Sequence, residues 1–173
     1  MSVHVGIFGP SLFGKSHLAK ALALQYWTQS RRPSVVLDPN GDDWGRHCLV
    51  FTDRERFVSA IWHHRNCAVF CDEFGEVFER DKSASPLFTR LRHQGHLMHA
   101  ITHAWTDLLP KQRNQLGTLF VFWQPADAAD VIAREWSDDR LRAATTLPKY
   151  TFMHCVKFGA APQHIIRRVR LPA

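Results

Sequence analysis

Residues 9–16 read G-P-S-L-F-G-K-S, directly after an apolar run and directly before a helix-forming run. A glycine-rich turn that opens a helix lets several backbone N–H groups converge on phosphate oxygens. In such a loop the ammonium of Lys15 reaches the β- and γ-phosphates, and the hydroxyl of Ser16 ligates Mg²⁺. The alternative is an ordinary glycine-rich turn between a strand and a helix. We predict that a nucleoside triphosphate binds here, through Gly9, Pro10, Ser11, Leu12, Phe13, Gly14, Lys15, Ser16 and His17.

Asp72 and Glu73 directly follow the apolar run 67–71, which is typical of a parallel strand covered on both faces. Phosphoryl chemistry requires a second acidic anchor for Mg²⁺ at the carboxyl end of a buried strand beside the loop. Asp72 meets this requirement, and Glu73 just beyond it can orient and deprotonate an attacking water. The tandem favours hydrolysis over transfer to a substrate hydroxyl. The alternative is a pair of surface acids at a strand end.

Two further polar positions are candidates for contact with a γ-phosphate. His103 follows the predicted strand 97–102 and could sense whether that phosphate is present, although a satisfied surface or core histidine is the alternative. Arg113 stands on a polar segment that leaves the same predicted edge of the sheet. It could neutralise charge on the γ-phosphate, within the chain or across a subunit boundary. Arg90 and Arg92 are alternatives for this role.

Histidines and cysteines occur in two groups that raise the question of a zinc site. Gly95 interrupts the helical spacing of the first group, and the second straddles a helix end and a strand without paired C-x-x-C spacing. We therefore expect Mg²⁺ to be the only metal and the cysteines to be reduced core residues. The first group is His93, His96, His99 and His103; the second is His63, His64, Cys67 and Cys71; the other cysteines are Cys48 and Cys155.

The whole chain has 173 residues, of which 45% are hydrophobic and 22% are charged. This favours one globular domain, residues 1–173. There is no apolar run long enough for a membrane span and no signal peptide, so we expect a cytoplasmic protein. A net charge of +6 suits a polyanion such as nucleic acid, and equally a mildly basic soluble protein. The candidate phosphate contacts are Arg80, Lys82, Arg90, Arg92, Lys111, Arg167, Arg168 and Arg170.

The apolar patterning predicts strands that alternate with helices, and hence an α/β domain with a largely parallel sheet. Strands are predicted at 3–8, 34–38, 48–51, 67–71, 97–102, 119–122, 150–158 and 164–171, the last two of which can be antiparallel. Helices are predicted at 15–31, 52–64, 85–94 and 127–136. Thr52 and Glu55 match a capping box, Ser85 an N-cap, and Gly95 a helix stop.

The order of the motifs, rather than any one of them, indicates a family. After the loop come Val36-Leu37-Asp38-Pro39-Asn40-Gly41-Asp42, Val69-Phe70-Cys71-Asp72-Glu73, Arg92-His93-x-Gly95, Ile101-Thr102-His103 and Leu109-Pro110-x-x-Arg113-Asn114. Over residues 3–125 the chain resembles the FtsK/HerA superfamily of DNA-pumping ATPases, and most of all its compact viral genome-packaging members.

The resemblance implies a RecA-like (ASCE) three-layer P-loop NTPase core, in which another strand separates the loop strand from the acidic strand. It also implies a homo-oligomeric ring, commonly hexameric, with ATP at subunit boundaries and double-stranded DNA in the central channel. Matched residue by residue, Lys15 and Ser16 bind phosphate and Mg²⁺, Asp72 holds Mg²⁺, Glu73 activates water, and Arg113 lies near the γ-phosphate.

We therefore predict a Mg²⁺-dependent ATPase that couples hydrolysis to sequence-independent movement of double-stranded DNA, into a viral capsid. The family usually ends its sensor strand in Gln, where this chain has His103, so the sensor role stays open. The short chain favours a phage or other mobile-element origin, with the host cytoplasm or virion as its location and a capsid or portal-vertex protein as a partner. Two alternatives also stay open: a P-loop kinase for a small metabolite, and an ATP-dependent binding switch that does not hydrolyse.

Overall fold

Eight strands of the computed structural model, which describes residues 4–78, 82–157 and 165–168, form one sheet. The strands are β1 His4–Phe8, β2 Ser34–Leu37, β3 Cys48–Phe51, β4 Ala68–Cys71, β5 Leu97–Thr102, β6 Leu116–Val121, β7 Thr151–Val156 and β8 Ile165–Arg168. The helices of the described residues are α1 Lys15–Ser30, α2 Arg54–His63, α3 Phe74–Phe78, α4 Ser85–Thr89, α5 Pro110–Arg113 and α6 Ala126–Trp136, with 3-10 segments at Lys82–Ala84, Leu91–Gln94, Trp105–Asp107 and Asp139–Thr146.

The strand order is β3-β2-β4-β5-β1-β6-β7-β8. The neighbours in this order are parallel from β3 through β2, β4, β5 and β1 to β6. Strand β7 pairs with β6 and with β8 in antiparallel fashion. Strand β5 separates the loop strand β1 from the acidic strand β4, as the RecA-like arrangement requires. Because parallel strands end on the same side, the carboxyl ends of β1, β4 and β5 share one edge of the sheet. The predicted α/β fold, largely parallel with antiparallel C-terminal strands, is confirmed.

Two hydrophobic cores lie on the two faces of the sheet. Val69 and Cys71 of β4 belong to one core, whereas Ala68 and Phe70 belong to the other, as the two-residue period of a strand dictates. Helix α1 packs on the second core, while α2, α3, α4 and α6 pack on the first. Burial on both faces explains why the central strands are continuous apolar runs. No helix in the described part of the chain is long and apolar enough to cross a membrane.

Two predicted helix N-caps, Thr52 and Ser85, are wrong by one residue. Helix α2 begins at Arg54, and its N-cap is Asp53, whose carboxylate accepts from the amide of Arg56 at 2.8 Å. The capping box predicted from Thr52 and Glu55 is wrong, because the N-cap is Asp53 and the residue three positions after it is Arg56. Likewise Ser85 is the first residue of α4, and Ala84 is the N-cap.

Other predicted bounds differ in extent. The predicted helix 85–94 is divided into α4 and the 3-10 segment Leu91–Gln94, in which hydrogen bonds span three residues, as from the amide of His93 to the carbonyl of Arg90. Gly95 ends it with φ 78°, as predicted. The strand β6 begins three residues earlier than predicted. For the C-terminal strands, Phe158, His164 and residues 169–171 lie outside the described residues.

Three buried histidines are structural. His99 lies stacked on Phe70 at 4.1 Å between ring centroids, and its two ring nitrogens contact the carbonyl of Val69 and the hydroxyl of Tyr26, each at 3.1 Å. His4 and His96 also use both ring nitrogens in hydrogen bonds with backbone groups. Burial lowers the pKa of all three histidines. These side chains are therefore uncharged, and their hydrogen bonds join neighbouring elements of the fold.

The four cysteines form no disulfide. Cys67, Cys71 and Cys155 are buried, as predicted, whereas Cys48 is only half-buried and is not a full core residue. Burial raises the pKa of the Cys155 thiol to about 12 and that of the Cys48 thiol to about 11. All four are therefore thiols at neutral pH with little tendency to react.

We expect acid to destabilise the fold through the buried histidines. Burial lowers the pKa of His99 to about 3, whereas an unfolded histidine titrates near about 6.5. Between these values the unfolded chain binds a proton that the folded chain excludes. The free energy of unfolding therefore falls with decreasing pH in this window, by up to about 1.4 kcal/mol per pH unit for this histidine. Urea unfolding at a series of pH values measures the slope.

The variant His99→Gln isolates the contribution of this side chain. Gln keeps hydrogen-bonding groups but does not titrate, so the variant should be less stable near neutral pH and should lose less stability on acidification. The exposed His93, changed to Gln, is the matched control and should leave the slope as in the wild type. Equal slopes for His99→Gln and wild type would contradict the prediction.

Candidate nucleotide-binding site

The loop 9–14 joins β1 to α1 at the carboxyl edge of the sheet. A Cβ on Gly9 would lie 2.5 Å from the Cβ of Phe122, so only glycine allows this approach. Gly14 is the N-cap of α1, with a left-handed φ of 102°. Of the other predicted loop residues, Ser11 and His17 are exposed, Pro10 and Phe13 are half-buried, and Leu12 is 80% exposed. Both glycines of the motif are therefore required by backbone geometry.

The ammonium of Lys15 lies inside this loop and is shielded from solvent. Lys15 is 5% exposed, and its Nζ donates to the carbonyl of Pro10 at 3.1 Å and contacts Nδ1 of His103 at 3.3 Å. Burial lowers the pKa of Lys15. Three nearby carboxylates oppose that shift, namely Glu73, Asp72 and Asp107. Because a shielded charge is poorly screened, this cation would attract an anionic ligand strongly.

Ser16 and Asp72, the two predicted magnesium ligands, are in direct contact. The hydroxyl of Ser16 donates to Oδ2 of Asp72 at 2.8 Å, and Oδ1 accepts from the amide of Glu73 at 3.0 Å. Burial raises the pKa of Asp72, and the hydrogen bond from Ser16 lowers it. Hydroxyl and carboxylate oxygens are the ligands that Mg²⁺ prefers. The donor set therefore fits a magnesium ion bound beside the loop.

Glu73 lies between β4 and α3 in a left-handed conformation, with φ 49°. Its Oε2 lies 2.7 Å from Nε2 of His103, and Glu76 is farther from the same nitrogen, at 3.9 Å. The contact with His103 is close but does not have the geometry of a hydrogen bond, so Oε2 accepts no hydrogen bond within the described part of the chain. Burial raises the pKa of Glu73, and His103 acts in the opposite direction. The structure therefore brings His103 between the loop lysine and the candidate base.

Asp107 is a member of this cluster that the sequence reasoning missed. Its Oδ2 accepts from the hydroxyl of Thr102 at 2.5 Å and from the amide of Ala104 at 2.8 Å, which fixes the turn that carries His103. A Cβ on Gly75 would lie 2.7 Å from the Cβ of Asp107, so a glycine is needed where α3 passes this turn. The signal available in the sequence was an acid a few residues beyond the predicted strand end.

The Asp38 motif forms a neighbouring turn at the end of β2. The buried carboxylate of Asp38 accepts from the indole of Trp44 at 2.8 Å and from the amides of Asn40 and Asp42 at 2.9 and 3.2 Å. Asp38 also contributes to the raised pKa of Asp72. The motif therefore serves to hold a negatively charged turn beside the site.

Arg113 does not join this cluster within its own chain. Its Nη2 lies 3.0 Å from Oε1 of Glu135, and its guanidinium stands over the ring of Trp105 at 5.4 Å. Arg113 precedes β6, which begins beside His4 at the opposite, amino edge of the sheet. The segment that carries Arg113 leaves the loop edge after β5, as expected, but Arg113 lies near its other end, just before β6. A role across a subunit boundary stays a prediction.

The alternative arginines and the other candidate phosphate contacts are dispersed. Arg92 lies near His4 at the amino edge, where its charge helps to lower the pKa of that histidine. In the described part of the chain the exposed candidates are Lys82, Arg90, Arg92 and Lys111. Arg167 and Arg168 lie in β8, while Arg80 and Arg170 lie outside the described residues. Contact with DNA therefore stays a prediction.

No protein-family model and no curated protein matches the chain. Solved structures do match. The genome packaging NTPase B204 of Sulfolobus turreted icosahedral virus 2, in complex with AMPPCP, has a TM-score of 0.79 and 17% identity over 98% of each chain. The pCW3 conjugation coupling protein TcpA has a TM-score of 0.71 and 15% identity over 93% of this chain and 58% of its own. The type VII secretion ATPase EccC of Thermomonospora curvata has a TM-score of 0.67 and 9% identity over 99% of this chain and 24% of its own.

These matches extend over nearly the whole of this chain, and over nearly the whole of B204. Because the sequence identity is 17% or lower, they show a common fold. The chain therefore has the P-loop NTPase fold of these proteins, and its resemblance to viral genome-packaging ATPases is confirmed at the level of the fold.

Proposed function

We propose that this protein is a Mg²⁺-dependent ATPase. The observation that carries the proposal is the meeting of Lys15, Ser16 and the Asp72 acidic pair at the carboxyl edge, with Ser16 Oγ 2.8 Å from Asp72 Oδ2. The similarity to B204, solved with AMPPCP and with ATP-gammaS, supports ATP as the nucleotide.

In this proposal the loop amides and Lys15 bind the phosphates, and Ser16 with Asp72 holds Mg²⁺. The metal ion, when bound, offsets negative charge on the phosphate oxygens. Glu73 orients the attacking water and accepts its proton, which the burial-raised pKa of its carboxyl group favours. The Glu73 side chain is 23% exposed, so water has access to it.

The finer proposal is that hydrolysis drives movement of double-stranded DNA in viral genome packaging. B204, matched over nearly its whole length, is a genome packaging NTPase, and TcpA is a conjugation coupling protein. The net charge of +6 suits a polyanionic partner. We propose a homo-oligomeric ring in the host cytoplasm or virion, docked on a capsid or portal-vertex protein. Arg113 would act on a neighbouring subunit, after leaving Glu135.

Lys15→Ala and Glu73→Gln should separate nucleotide binding from turnover. Lys15→Ala is expected to abolish measurable binding of Mg²⁺-ATP, because the loop loses its cation. Glu73→Gln is expected to bind ATP and to lower kcat by about 10²- to 10⁴-fold, the usual contribution of a general base. Calorimetric titration and phosphate release measure the two quantities.

Lys20→Ala and Glu55→Gln are the matched controls, and both should retain binding and turnover. Lys20 lies on the same helix as Lys15 and pairs with Asp42 at the surface, and Glu55 is exposed on α2. Undiminished hydrolysis by Glu73→Gln would refute the assignment of the base. Tight binding without turnover in the wild type would favour the binding switch, and phosphate transfer to an acceptor would favour a kinase.

Double-stranded DNA should stimulate the ATPase if the finer proposal is right. We expect kcat to rise with added DNA and with protein concentration, because a site shared between subunits is complete only in the oligomer. The stimulation should weaken with salt, since contacts of lysine and arginine with phosphates are screened. Hydrolysis that responds neither to DNA nor to protein concentration would refute the motor while leaving the ATPase intact.

A further inference from the structure

Lys15, His103 and Glu73 form a continuous line of contacts across the candidate site. Lys15 Nζ lies 3.3 Å from Nδ1 of His103, and the opposite ring nitrogen, Nε2, lies 2.7 Å from Oε2 of Glu73. The line therefore runs from the phosphate-binding cation to the candidate base through the two nitrogens of one imidazole.

The chemistry of the two outer groups fixes the tautomer of the middle one. An ammonium offers only donors, so Nδ1 of His103 accepts from Lys15 and carries no hydrogen. The hydrogen of a neutral ring then lies on Nε2, the nitrogen that is 2.7 Å from Oε2 of Glu73, where it attracts the carboxylate without the alignment of a full hydrogen bond. The turn that carries His103 is itself held by Asp107, which fixes the backbone from which the ring projects. Glu73 is in this way attracted to the ring in the nucleotide-free protein.

Phosphate binding would break this line at its first contact. The Lys15 ammonium has only three N–H donors, and a donor that turns to a phosphate oxygen no longer contacts Nδ1 of His103. With Nδ1 unoccupied, only Glu73 still favours the Nε2–H tautomer. The ring is no longer polarised by the ammonium, so the attraction that holds the Glu73 carboxylate weakens.

We propose that His103 is a positioning residue that couples phosphate binding at Lys15 to release of the Glu73 carboxylate. The inference rests on the proposed function, and it concerns what happens before hydrolysis. Phosphate binding at the loop thereby allows Glu73 to turn toward the attacking water. A glutamine side chain also has one acceptor and a donor group, so His103→Gln should preserve the coupling, whereas His103→Leu should remove it.

The first test is ¹⁵N NMR of histidine-labelled protein, with the His103 signals assigned by their loss in His103→Gln. We expect the Nε2–H tautomer in the nucleotide-free wild type, and a shifted Nδ1 signal in Lys15→Met without any nucleotide. Saturation of the wild type with Mg²⁺ and AMPPCP should shift the same signal. The buried His99 and the Lys20→Ala variant are controls and should show no change.

Each other result of the NMR test has a definite meaning. A charged ring or an Nδ1–H tautomer in the free protein would overturn the inference, as would an Nδ1 signal that Lys15→Met leaves unmoved. An unmoved signal despite calorimetrically verified AMPPCP binding would overturn the inference and leave the ATPase proposal standing. Failure of AMPPCP to bind at all would overturn the ATPase proposal itself.

The second test is a double-mutant cycle on the Kd of AMPPCP. Glu73→Gln should change this Kd by the same factor in the wild-type and His103→Gln backgrounds. In the His103→Leu background that factor should differ from the wild-type factor by about 2- to 10-fold, the usual range for one hydrogen bond. A histidine that merely fills space would give additive effects, and additivity would overturn the inference. If His103→Leu does not fold, the Lys15→Met spectrum decides the question alone.

Discussion

Strand β5 is hydrogen-bonded between β1 and β4, and this insertion sets the distance between the loop and the acidic pair. Neighbouring strands are about 4.8 Å apart, so the ends of β1 and β4 are separated by roughly 10 Å. Helix α1 bridges the gap because it packs over β5 against β4 and β2, which brings its first turn to Asp72. The space left beneath is taken by the residue after β5, His103.

The site is electrostatically unbalanced without a ligand. One shielded ammonium, that of Lys15, lies among the carboxylates of Asp72, Glu73 and Asp107. Burial raises the pKa of two of these acids, Asp72 and Glu73, because a charged carboxylate is less stable in a poorly hydrated place than in water. Phosphate oxygens would add further negative charge, which is the physical reason for proposing that a nucleotide binds here together with a cation. The contact of Ser16 with Asp72 gives that cation two oxygens already in position.

The parts of the site that could be predicted from sequence are those specified by neighbours in the chain. Asp72 was placed correctly because a buried strand directly precedes it, and the loop because its glycines open a helix. The position of Arg113 could not be predicted, since its side chain is held by Glu135 from a distant helix. Asp107 was missed because its role depends on a turn that forms only when β5 ends at Thr102. Similarly, periodicity treats His99 as polar, whereas hydrogen bonds on both sides allow it to be fully buried.

The central position of β1 has a consequence for the order in which the protein can assemble. Its hydrogen-bonded neighbours are β5 and β6, with Val5 beside His99 and Thr118, so no strand near it in the sequence can pair with it. Strand β1 therefore remains unpaired in the sheet until β5, about 90 residues farther along the chain, has been synthesised. Contacts between such distant residues form slowly, because a long loop must close first. On the ribosome β1 therefore acquires its native neighbours only after β5 and β6 have emerged, and a chain that terminates before them leaves an apolar strand exposed to aggregation.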